Sequence, residues 1–157
     1  MNWIIQVNIL IVLTLTWLLF SFQVGFREAR YYYCKNEPHP SLKKDEHGLF
    51  TIHRAIVFVP HLVAFSLIKS YLLPSCWCVL IIEQVLFLSA FILVFPFFHD
   101  GAYYTERNNL NPEVYPLRWR DFNDSTAKFD FTFLQRTIMA IIGLGVLITS
   151  LITDLVI

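Results

Sequence analysis

The sequence predicts an all-α, polytopic membrane protein: a bundle of four transmembrane helices with a long ordered loop between the third and the fourth. Three observations predict it. Apolar residues make up 56% of the 157 and charged residues 15%, against about 45–50% and about 25% in soluble domains, and the mean hydropathy is +0.55. The apolar residues gather into four blocks, each near the ~20 residues that span ~30 Å of hydrocarbon. Lys and Arg fall almost wholly in two of the stretches between those blocks. Backbone amides in lipid have to be satisfied within each segment, which leaves helices as the form of the blocks. A single membrane domain, 1–157, is the expected organisation.

The first helix is expected at about 3–23, interrupted only by uncharged polar residues such as Gln6, Asn8, Thr14 and Thr16. Met1 to Ile5 carry no positive charge and no small-x-small site follows, so this block is expected to stay as a membrane helix. Tyr31 to Tyr33 sit where interfacial aromatics belong. The stretch 27–51 then reads as loop, through Glu37-Pro38-His39-Pro40 and the mixed charges Lys43 to His47. The second helix, about 52–73, and the third, about 76–98, are separated by little more than Pro74 and Ser75 and form an antiparallel hairpin. The loop 99–131 is too aromatic for a disordered linker, with Tyr103, Tyr104, Tyr115, Trp119, Phe122, Phe129 and Phe131. It is expected to fold back as a cap, with N-cap candidates at 121–126 leading into the fourth helix, about 137–157. On that helix Gly143 and Gly145, with Ala140, offer a small-residue face for close packing.

Eleven of the twelve Lys and Arg residues lie in or beside the first and third loops; Lys69 alone is near the opposite face. The positive-inside rule therefore puts both long loops in the cytoplasm and both termini outside. On that topology the sequon at Asn123 faces the wrong side for glycosylation. The formal net charge is zero, so no basic field points to nucleic acid. Three cysteines are too few for a disulfide framework, and Cys76-Trp77-Cys78 reads as turn packing rather than a redox pair.

Residues at equal depth in a helical hairpin have numbers that sum to a constant, about 152 for a turn centred near Cys76. Lys69 then faces Glu83 and His53 faces His99. An isolated charge at such depth costs about 3 kcal/mol, so Lys69 and Glu83 are expected to pair structurally. Asp154 is expected to pack with Gln6 or Asn8 at similar depth near the outer end. At the cytoplasmic mouth His53, His99 and Asp100 converge, with His61 about two turns deeper. Arg27, Glu28, Arg30, Arg54 and Arg136 deliver charge to the same plane. Imidazole and carboxylate in that arrangement are candidate metal ligands, namely His53, His61, His99 and Asp100. His99 and Asp100 are the catalytic candidates as a general acid/base pair, and His53 with His99 is a candidate axial pair for haem. The compact His-Glu-x-x-His spacing of a metalloprotease is absent.

Two functional readings follow. The first is a non-enzymatic homo-oligomeric pore, or a subunit of a membrane complex, whose partners are the lipid bilayer and other membrane chains. The alternative is a membrane-embedded enzyme that binds a divalent metal or haem at the mouth.

Overall fold

The structure is a computed structural model. It describes the backbone of residues 2–34, 46–72, 77–119 and 131–156, and side chains within 4, 8–9, 11–31, 52–67, 77–119 and 131–149. The described residues form four helices and no strand: α1 (Asn2–Cys34), α2 (Glu46–Leu72), α3 (Trp77–Leu110) and α4 (Phe133–Val156). Among them α3 is long and apolar enough to cross a membrane, with a mean hydropathy of 2.6 over its most apolar window. The described apolar parts of α2 and α4, Ile52–Leu67 and Phe133–Thr149, are shorter.

Helices α1 and α3 outrun the apolar blocks by more than a turn. Helix α3 runs through Gly101 and continues to Leu110. A glycine costs only about 1 kcal/mol inside a helix, and here it makes room for the Trp119 ring, into which a Cβ would run. Pro96 also leaves α3 continuous. The 99–131 loop therefore begins as helix. Beyond it the chain turns at Asn111, whose side chain accepts from the Val114 amide, and folds back along α3. Asn108 holds the returning segment twice, donating to the Tyr115 carbonyl at 2.6 Å and accepting from Arg118 Nε at 2.8 Å. On this segment Trp119 stands at φ 64°, with its ring against Phe22, Phe97 and Phe98. The cap of α4 is Thr132 rather than the 121–126 stretch, which lies outside the described residues. The Thr132 hydroxyl accepts from the Gln135 amide while the Gln135 side chain accepts from the Thr132 amide, a reciprocal capping box.

Helix α3 is the axis of the bundle. It packs closely on α1 and α4, and α2 touches the rest less extensively. The pairing with α1 is parallel: the Trp17 indole donates to the Phe91 carbonyl at 3.2 Å, a separation of 74 residues, and Arg30 meets Glu106 across 76. At the α3–α4 crossing a Cβ on Gly143 would lie 2.8 Å from the Ala90 carbonyl oxygen, so this glycine lets the backbones close; Gly145 faces open space. The core is Trp17, Phe65, Phe87, Ala90, Phe91 and Leu147. Phe65 and Phe87 stack with centroids 4.0 Å apart, and their numbers also sum to 152.

Candidate functional site at the charged end of the bundle

Gly25 brings α1 onto the α3 backbone, where a Cβ would collide with the His99 carbonyl. Ala29 and Ala102, both 0% exposed, continue this close approach. Glu28, one turn after Gly25, is thereby pressed against the His99 ring, with Oε2 3.2 Å from Nε2. Its other oxygen accepts from Arg54 Nη2 of α2. The same Nη2 lies 3.2 Å from His99 Nε2. The Arg54 guanidinium also covers the Phe95 ring at 5.0 Å, and that ring stacks on His99 at 4.9 Å.

On its other edge His99 Nδ1 lies 2.6 Å from Asp100 Oδ1. Asp100 Oδ2 is 3.6 Å from Arg136 Nη1 of α4, and the Arg136 guanidinium lies over Tyr104 at 5.6 Å. The order Arg54, Glu28, His99, Asp100, Arg136 thus runs through all four helices. Glu28 is 6% exposed, His99 7% and Arg136 1%. Two turns on, Arg30 Nε donates to the buried Glu106 at 2.6 Å. Arg107 lies between Tyr103 and Tyr115 at 5.5 and 4.8 Å.

These groups lie beyond the apolar blocks 3–23 and 76–98, and their protonation follows from their neighbours. Burial pushes the Glu28 carboxyl up, but the hydrogen bond and charge of His99, with Arg54, outweigh it and hold the group below its ordinary 4.5. Burial pushes the His99 imidazolium down, and the hydrogen bonds and charges of Asp100 and Glu28 outweigh that, raising it above 6.5. Both directions describe one ion pair. Burial also raises the Tyr103 hydroxyl, which Arg107 only partly offsets.

The other candidates lie elsewhere. His53 is exposed, with its ring against Phe20 at 5.7 Å. His61 Nδ1 is 2.8 Å from its own helix at the Val57 carbonyl, and the ring meets Trp17 edge-on. Neither joins His99 and Asp100. It is Arg54, one residue on from His53, that reaches His99: hairpin arithmetic gives depth, whereas consecutive helical residues differ by about 100° around the axis. Among the described residues no three His, Cys, Asp and Glu side chains are grouped to hold a metal. The two nitrogens of His99 face separate carboxylates across the ring. Of the basic residues at this end, Arg27 is exposed, while Arg30, Arg54 and Arg136 enter the ion pairs. Asn8 and Cys78 are exposed. The Lys69–Glu83 pairing, and the contacts expected of Gln6, Asp154, Cys76 and Asn123, rest on side chains outside the described residues. Glu106, Asn108 and Trp119 carry no motif and emerge only from the fold.

No family model, curated protein or solved structure matches this chain.

Proposed function

We propose that the chain is an integral membrane protein with four membrane helices that works as a non-enzymatic component of a membrane assembly, either as a homo-oligomer or beside other subunits. The observation that carries this reading is the separation of its surface. The described charged groups of α1, α2 and α4 gather at one end, while the remaining described length, in which α3 carries Glu83, presents apolar residues outward on every helix. These include Ile11, Leu19, Ile56, Val63, Ile81 and Ile141. Hydroxyls on the apolar length turn onto their own helices: Thr16 donates to Val12, Ser89 to Val85 and Thr149 to Gly145. Such back-bonding suits a surface without water. Charge placement supports a cytoplasmic side for the stretch 27–51, helical at 27–34 and 46–51, and for the stretch around 111–131, with both termini outside.

A pore requires several copies, because aromatic rings fill the centre of a single chain. The metal or haem enzyme has less support: of its four expected ligands only His99 and Asp100 lie together, and each is engaged by charged neighbours.

The test is a mass measurement on the mildly solubilised protein, with metal and haem analysis of the same preparation. An assembly larger than one chain, free of stoichiometric metal or haem, is expected. A strict monomer without conductance in liposomes, or a stoichiometric cofactor, overturns the reading. Single cysteines introduced into the two long loops should react only with membrane-permeant reagents, and equal reaction with impermeant ones overturns the topology.

A further inference from the structure

His99 Nε2 has two partners at the same distance with opposite requirements. Glu28 Oε2, at 3.2 Å, is an acceptor and needs a hydrogen on Nε2. Arg54 Nη2, also at 3.2 Å, is a donor and needs a lone pair there. On the other edge Asp100, 2.6 Å from Nδ1, keeps a hydrogen on that nitrogen in either case. One proton on Nε2 therefore selects the partner.

We propose that His99 is a proton-binding switch. With the proton, Nε2 donates to Glu28 and ties α3 to α1. Without it, the ring is the Nδ1–H tautomer and Nε2 accepts from Arg54, tying α3 to α2. The charged groups facing the ring come from each helix packed around it: Glu28 from α1, Arg54 from α2, Asp100 from α3, and Arg136 from α4 behind Asp100. The two carboxylates favour the proton and the two guanidiniums oppose it. The ring is buried, so its hydrogen bonds are exchanged among these groups rather than given up to water. The proton's exchange partner is bulk water at the charged end of the bundle, reached past Asp100 and Arg54, both part-exposed. Helix α2 is the element this switch acts on, because among the described residues its hold on the rest is the slightest and Arg54 ties it by charge to Glu28. The proposal holds whether the chain works alone, as an oligomer or within a larger complex.

The experiment is nitrogen-15 NMR of labelled histidine in the full chain in lipid nanodiscs, from about pH 5 to about pH 10. Replacing His39, His47, His53 and His61 by Gln leaves His99 as the one histidine of the five, so its signals need no further assignment. The expected result is a ring protonated on both nitrogens at the acid end and an Nδ1–H tautomer at the alkaline end. Glu28→Gln should lower the midpoint and Arg54→Gln should raise it, each by about one pH unit. An Nε2–H neutral tautomer, a ring that never changes state, or shifts of the same sign in the two variants would overturn the proposal. If the four-Gln chain does not fold, the wild-type spectrum minus that of His99→Gln isolates the same signals. Should that variant fail as well, the midpoint shifts are read from the one wild-type histidine signal that both Glu28→Gln and Arg54→Gln move.

Discussion

Two glycines show how differently one residue type acts within a single chain. Gly25 lies where α1 meets the His99 carbonyl, and Gly145 faces open space. Gly25→Ala should cost about 2 kcal/mol, because backbone rather than a flexible side chain has to move. Gly145→Ala should gain about 0.5–1 kcal/mol from helix propensity alone. Thermal unfolding of both variants in one detergent checks the contrast, and equal effects would refute the close approach. His99 and Glu28 set the pH response at the same scale. The Glu28 carboxyl is held below 4.5 in the fold, so its contribution is present above that value and lost as pH falls through the depressed one. The His99 imidazolium is raised above 6.5, so its contribution is complete below 6.5 and lost as pH rises through the raised value. Stability should therefore peak between these limits and fall on both sides. In Glu28→Gln the peak should flatten, as followed by unfolding temperature against pH.

Among the elements, the segment that returns from α3 depends on one side chain. Trp119 adopts φ 64°, a conformation that disfavours a bulky residue by about 1–2 kcal/mol. It is held there by the socket of Gly101, Phe22, Phe97 and Phe98. Trp119→Ala removes the ring, and trypsin should then cut after the exposed Arg118 about tenfold faster, the factor given by about 1.4 kcal/mol of lost docking. Unchanged cleavage would show that Asn108 and the Arg107–Tyr115 contact suffice. The extension of α1 and α3 past their apolar blocks belongs to the same scale. A polar helix tail persists when another tail pairs with it, as Arg30 does with Glu106.

Across the whole molecule, the later half of α3 is buried at Phe87, Ala90, Phe91, Val94, His99 and Ala102, and α2 packs least on its neighbours among the described residues. Hydrogen exchange should accordingly leave residues 87–102 of α3 protected longest and open α2 first. Exchange of the two at one rate would mean that the bundle opens only as a unit. The same asymmetry explains why a proton at His99 can act on α2: the element with the least packing is the one a single hydrogen bond can bias.

By itself the sequence determined the helical class, the place of the four apolar blocks, the hairpin depth and the gathering of charge at one end. Each of these is a one-dimensional property, set by run length, periodicity and position along an axis. Glu28, Arg54, His99, Asp100 and Arg136 were all legible as charges at one level. Only the tertiary structure decided that Arg54 rather than His53 meets His99, that His61 turns to its own backbone, and that Gly101 seats Trp119 instead of ending α3. Those outcomes depend on rotation about each helix axis and on which helices lie side by side. Both are fixed by contacts between residues far apart in the chain, such as Arg54 with His99 and Trp17 with Phe91, and a linear pattern does not carry them.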